Sequence, residues 1–235
     1  MKQPEPYQQW PSQRSPVSRV VDALGNIHDD RTGQFTHKGD GVKESKEDRW
    51  ARENAIFDEA LGYSEEGADE ALAAWANGTG FVAIRAAAAG DPDASPRAKQ
   101  YAQEIAAGVL EVGMAEKPSG DIYRGLAVSV EDGARFAALV PGKTIDLNIS
   151  SWSGDETFAN DYARQPGPGS TGSVPVVLKA SGVRGLHIGG DNGQDEWITD
   201  GRFRVVSVDR AGNGYEITMA QETLFAAPKL TESSE

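Results

Sequence analysis

The hydrophobic period of this chain changes near Pro118, and few architectures can absorb such a change. Between residues 47 and 113 apolar side chains recur every three or four positions, as in Trp50, Ile56, Phe57, Ala60 and Leu61, and again in Leu72, Trp75 and Ala76. That is the spacing of helices with one buried stripe. Breaks at Gly62, at Gly78-Thr79-Gly80 and at Gly90-Asp91-Pro92 predict about four helices. Beyond Pro118 the period falls toward two. Segments 121–128, 144–149, 174–180, 197–199, 203–208 and 215–219 read as short strands bounded by Gly, Pro, Asn and Asp. Helices are expected to interrupt them at 131–139, with Ser129 as N-cap, and at 155–164. Helices first and many short strands afterwards imply the α+β class, with an N-terminal helical block followed by two packed, mainly antiparallel β-sheets.

The two ends differ from this core. Residues 1–46 are rich in Pro, Gln, Ser, Gly and charge, with too few apolar side chains to offset the entropy of ordering, so a flexible arm is expected. Its one local cue, Asp30-Arg31-Thr32-Gly33-Gln34-Phe35, reads as a turn. The tail 228–235 is polar and expected to be disordered. Between them lies one domain, 47–227, with a helical block over 47–117 and a β core over 118–227; a chain of 235 residues needs no second core.

With 36 acidic against 23 basic residues, a net charge of −13 and a pI near 4.7, the chain lacks the basic footprint of a nucleic-acid binder. A local arginine can still bind an anionic dinucleotide. The absence of cysteine excludes disulfides and thiolate zinc sites. His28, His37 and His187 stand apart without a second ligand at metal spacing, and Asp191-Asn192-Gly193 fails the calcium-loop pattern, so no metal is expected. No apolar run reaches bilayer length, and residues 1–16 lack the apolar segment of a secretory signal. A soluble protein without a signal peptide is expected.

Three motifs place polar groups where strand ends can gather them. Arg124 lies within Ile122-Tyr123-Arg124-Gly125-Leu126. A strand arginine is ordinarily a solvated side chain or an ion pair. Gly125 beside it, however, leaves room for a ligand, and a guanidinium grips two phosphate oxygens at once. Ser151-Trp152-Ser153 precedes Ala159 and Ala163, four apart on one helix face. Ser153 with Glu156 fits a capping box, which accounts for Ser153 and leaves Ser151 free. In Gly193-Gln194-Asp195-Glu196-Trp197-Ile198 a carboxylate stands at a strand edge after a glycine-rich loop. Gln194 and Glu196, two apart on an extended strand, are expected to share a face, with Asp195 on the other, toward solvent. After Arg164 the run Gln165-Pro166-Gly167-Pro168-Gly169-Ser170-Thr171-Gly172 reads as a mobile loop, not a P-loop, because the required lysine is missing.

In this order, behind a helical block, these motifs resemble the mono-ADP-ribosyltransferases of the Arg-Ser-Glu class, the clostridial-exoenzyme and iota-toxin-like group. The stretch 72–85 is similar to the family's helix pair before its first strand, with Arg85 where an asparagine is common. The likeness spans residues 50–219. It implies an ADP-ribosyltransferase-like fold and an enzyme that cleaves NAD, its co-substrate, and passes ADP-ribose to a protein acceptor. Glu196, Gln194 and Ser151 are implied as the catalytic set, with Ser151 bracing Glu196. Arg124, Gly125, Ser151, Ser153, Arg164 and Glu196 are implied to hold NAD. Trp152 departs from the usual threonine, whereas Tyr162 matches a family aromatic. Gln194 turns the expected acceptor away from arginine, because a neutral amide cannot ion-pair with a guanidinium.

Fold likeness alone leaves two alternatives open, an NAD glycohydrolase and a catalytically silent binding or virion-structural protein. The likeness further implies a toxin, effector or phage-encoded modifier of a host, located in the cytoplasm of the target cell or on a virion. Residues 1–46 resemble segments of phage virion proteins, which implies a virion partner for the arm. No membrane or nucleic-acid partner is expected.

Overall fold

The computed structural model describes residues 19–21, 27–29, 45–64, 69–76, 80–113, 116–165, 173–189 and 195–224. The first helix, α1 (Lys46–Leu61), starts where Ser45 Oγ accepts the Asp48 N–H at 3.1 Å, and Glu47 and Asp48 in its first turn complement the helix dipole. It is followed by α2 (Glu70–Ala76), α3 (Gly80–Ala88) and α4 (Pro96–Gly113), separated at the expected breaks. Pro96 opens α4, the position where its missing N–H is harmless. The buried stripe of Phe57, Trp75, Ile84, Tyr101, Ile105 and Val109 is interleaved with Ala71, Ala74, Ala98 and Ala102, small residues that let the helices approach closely.

A charge is buried among the described residues of this block. Glu53, 2 % exposed, accepts from Arg49 Nε at 2.7 Å and from the Ser95 N–H at 2.9 Å, while Arg49 also reaches Asp91 at 2.8 Å. Burial pulls the Arg49 guanidinium down, but hydrogen bonds to Asp91 and Glu53 outweigh it and hold the group above its ordinary value.

Two short strands, β1 (Arg19–Val21) and β2 (Ile27–Asp29), pair antiparallel within the stretch that the sequence reads as a flexible arm. The turn expected at 30–35 lies outside the described residues. The β core consists of β3 (Ile122–Val128), β4 (Thr144–Ser153), β5 (Val174–Ser181), β6 (Leu186–Gly189), β7 (Glu196–Ala211) and β8 (Gly214–Thr223). These form one six-stranded sheet in the order β4-β3-β5-β8-β7-β6, and β4 also pairs with β7. Strands β4, β3, β5, β8 and β7 thereby close into a ring, in which β5 and β8 run parallel.

A single closed sheet replaces the two packed sheets expected from the sequence, and β7 is the reason. Residues 197–199 and 203–208 read as separate strands because a glycine lies between them, yet β7 runs unbroken through Gly201, whose φ of 116° bends it. The first part of β7 pairs with β4 and the later part with β8, so one strand joins what would be two sheets. A Cβ at Gly201 would also overlap the Thr223 carbonyl on β8.

Inside the ring pack Ile122, Trp152, Leu178, Trp197, Phe203 and Ile217. Helix α5 (Val130–Ala137) has the expected Ser129 cap, and α6 (Glu156–Arg164) lies against β3 with Ala159 and Ala163 buried. Ile149 of β4 and Ile198 of β7 belong to the core of the helical block. These two strands therefore lie between the helices and the barrel interior.

Candidate active site

The strand register of β3, β4 and β7 sets a polar row. Ser153 of β4 stands opposite Tyr123 of β3 on one side and Glu196 of β7 on the other, and Ser151 stands opposite Ile198. Opposed residues share a face, with Cβ atoms roughly 4.5–5.5 Å apart. A register shift between Leu147 and Ser150 makes this possible, because it resets the alternation of β4. Before the shift Ile145 and Leu147 point into the barrel; after it Ser150 and Trp152 do, and Ile149, Ser151 and Ser153 face outward.

Trp152, which departs from the family pattern, is thereby removed from the row. Its ring is 2 % exposed and stacks on Phe203 at 5.7 Å, and its indole N–H donates to Ser150 Oγ at 3.0 Å. The outward hydroxyls are engaged differently. Ser151 Oγ accepts from the Trp75 indole N–H of α2 at 3.2 Å. Ser153 Oγ accepts from the Asp155 N–H at 2.9 Å. The expected capping box of Ser153 with Glu156 is not formed; Asp155 caps α6, accepting from Thr157 N–H at 2.8 Å and Phe158 N–H at 3.3 Å. Ser153 lies within β4, two residues too early to cap the helix.

Glu196 ends this row. It is partly exposed, and its carboxylate has no hydrogen-bond or ion-pair partner among the described residues. At the far end, burial and then the Glu156 carboxylate push the Tyr123 phenol above its usual value, so it stays a neutral hydroxyl at physiological pH.

Arg124 follows Tyr123 on β3 opposite Leu178, so by alternation it leaves the strand on the side of Ile122, not that of the row. It is partly exposed. The space that Gly125 leaves is filled by α6, since a Cβ there would overlap the Ala159 carbonyl and crowd the Ala163 nitrogen. The room that the sequence offers to a ligand at that face is thus occupied by a helix. Arg164 is exposed in the last turn of α6, beside residues 166–172, which lie outside the described set. Gln194 lies outside it as well. The structure brings Ser151, Ser153 and Glu196 onto one face and leaves Arg124 on the adjoining strand.

Asp195 is exposed, as expected of a solvated side chain, but it does not lie on an extended strand. Its φ is 43°, and β7 begins only at Glu196, so the alternation that would pair Gln194 with Glu196 does not run through it. Its carboxylate accepts from Trp197 Nε1 at 3.2 Å and lies 2.8 Å from His187 Nε2. Sequence spacing could not reveal His187 as a partner, because β6 has too few residues to show a period. Trp75, the donor to Ser151, was visible only as a helix core residue. A separate hollow on the helical block, lined by Trp50, Glu70, Arg97 and Tyr101 among others, is closed to new chemistry by its own contacts. There Arg97 binds Asp58 at 2.6 Å and Tyr101 at 2.8 Å.

No protein-family model and no curated protein sequence matches the chain. Solved structures do. The ADP-ribosyltransferase Vis in complex with agmatine is similar with a TM-score of 0.52 at 17 % identity, covering 81 % of this chain and 92 % of that one. Vis in complex with the M6 inhibitor gives 0.53 at 16 % identity, over 78 % and 88 % of the two chains. The Vis toxin of Vibrio splendidus gives 0.52 at 15 % identity, over 80 % and 91 %. The chain has the fold of these ADP-ribosyltransferases, a mixture of helix and sheet as the sequence predicts. No helix among the described residues is long and apolar enough to cross a membrane.

Proposed function

We propose that this protein is an NAD-dependent mono-ADP-ribosyltransferase that modifies a protein side chain other than arginine, as a toxin, effector or phage-encoded modifier of a host. The observation that carries this reading is the Glu196 carboxylate, unpartnered among the described residues and in register with Ser153, on a fold shared with ADP-ribosyltransferases. In the reaction the bond between the nicotinamide nitrogen and ribose C1′ breaks, and its electron pair leaves with nicotinamide. Glu196, accepting a hydrogen bond from the ribose 2′-hydroxyl, stabilises the positive charge that develops at C1′. The acceptor's lone pair then forms the new bond to C1′ and its proton passes to water.

Ser151 contributes orientation. Its oxygen is held by the Trp75 N–H, so its own hydroxyl proton is left to donate on the face shared with Glu196. Arg124 carries the planar fork that suits the NAD phosphates, which reach it only around β3, because it leaves that strand on the face opposite the row. The resemblance assigns Gln194 to the acceptor, and an amide cannot ion-pair with a guanidinium. Vis is seen with agmatine, a guanidinium compound, which makes agmatine the informative negative acceptor here.

The test is incubation of the purified chain with labelled NAD and bacterial or eukaryotic lysates, beside Glu196→Gln. Label on a lysate protein that disappears with Glu196→Gln, and no label on agmatine, is the expected result. Nicotinamide release without labelled protein would make the chain a glycohydrolase. No turnover in any lysate would overturn the reading.

A further inference from the structure

We infer that Asp195, latched by His187, Trp197 and Gly154, is a positioning residue that fixes Glu196 in the polar row without touching the substrate. The inference rests on the reading of Glu196 as the catalytic carboxylate. Asp195 is the one non-glycine residue at positive φ among the described residues, and it directly precedes Glu196. Such a conformation persists only where the surroundings determine it, and it gathers at functional sites.

Here the surroundings come from three strands. The Asp195 carbonyl accepts from the Gly154 N–H at 2.9 Å, just beyond the end of β4. Its Oδ1 accepts from Trp197 Nε1 of β7 at 3.2 Å and lies 2.8 Å from His187 Nε2 of β6. Its other carboxylate oxygen lies so close to Gly154 that a Cβ at Gly154 would overlap it, so that glycine is required by the latch. The His187 ring stacks on Trp197 at 4.6 Å, and these two residues are opposed in the β6–β7 register.

The consequence for the row is direct. Gly154 follows Ser153, and Asp195 precedes Glu196, the residue opposed to Ser153. The latch therefore ties the two chain ends that carry the Ser153–Glu196 pair. The Trp197 ring belongs to the barrel core, on the face away from Glu196, and its indole N–H donates to the exposed Asp195 carboxylate. The side chains of the His187–Asp195 pair are 41 % and 52 % exposed, too open for the pair to be a main source of stability. A latch of this kind acts on geometry, and a misplacement of about 1 Å at a reacting group can lower turnover about 100-fold.

The test compares Asp195→Gly, which keeps the positive φ and removes the carboxylate, with Asp195→Asn, which keeps an acceptor oxygen and tolerates the same φ. Nicotinamide release from NAD is read as kcat and KM, and the Trp197 indole N–H resonance, assigned with Trp197→Phe, is followed by NMR. Expected are a kcat lowered about 10- to 100-fold in Asp195→Gly with KM changed less than about threefold, recovery to within about threefold in Asp195→Asn, and a displaced Trp197 resonance in Asp195→Gly and His187→Ala. Wild-type kcat in a folded Asp195→Gly, or an unmoved resonance, would overturn the latch while leaving the reading of Glu196 intact. No NAD turnover in the wild-type chain would instead overturn that reading, and the positioning role with it.

Discussion

Glu53 and Glu196 are the same residue type in two regions of one molecule, and they have been given opposite surroundings. Glu53, within the helical block, is buried with one oxygen on Arg49 and the other on the Ser95 N–H. Its hydrogen-bonding capacity is taken up by the fold. Glu196, at the rim of the barrel, is partly exposed, and its carboxylate has no partner among the described residues. The restraint sits on its neighbour Asp195 instead, in the backbone and in the bonds to His187 and Trp197. The difference teaches how to separate a structural carboxylate from a chemical one: the first is satisfied by the protein, the second is held in place while its oxygens stay available.

The largest effect that sharpens this contrast is at Glu196. Glu196→Gln should lower nicotinamide release about 10²–10³-fold, with the thermal midpoint unchanged, because the carboxylate has no hydrogen-bond or ion-pair partner among the described residues. Next, Glu53→Ala should destabilise the chain by about 2–3 kcal/mol in urea unfolding, since it leaves the buried Ser95 N–H without its acceptor and Arg49 with Asp91 alone of its two carboxylates. Its turnover below the midpoint should match wild type. Loss of activity there with stability intact would break the division between the two regions.

A smaller effect is expected where the regions meet. Trp75→Phe keeps a ring in the helical core and removes the donor to Ser151, which should cost about 1 kcal/mol of stability and slow turnover a few-fold, read by melting and by steady-state kinetics. The smallest concerns the rim alone. Hydrogen bonding from Arg202 holds the Asp146 carboxyl below its usual range. A depressed carboxylate pKa stabilises above the unfolded value, and the benefit is lost as pH falls through the folded one. Asp146→Asn should therefore melt slightly below wild type at pH 7, with the gap closing as pH falls below the ordinary aspartate range and shrinking with salt, as the pair is half exposed.

What the sequence made legible is the part governed by short-range rules. The helix breaks at Gly62 and Gly90 and the Ser129 cap follow from local spacing, and the candidate row residues Ser151 and Glu196 from motifs that resemble those of a known family. Three features did not. Gly201 reads as a chain break but serves as a bend, because a glycine's meaning depends on the strands beside it. Gly125 reads as room for a ligand, yet α6 fills it from 34 or more residues away in sequence. The Asp195 latch joins β4, β6 and β7, and no periodicity within one strand encodes a contact among three. Local motifs thus single out Glu196 as the candidate carboxylate, and tertiary contacts determine how its neighbour Asp195 is held.

The most direct measurement is the rate of nicotinamide release from NAD by the wild-type chain and Glu196→Gln, with both shown folded by the same thermal midpoint. Turnover in the wild type and a loss of about 10²–10³-fold in the variant is the expected result. Equal rates in the two proteins, or none in the wild type, would contradict the assignment of Glu196 as the catalytic carboxylate.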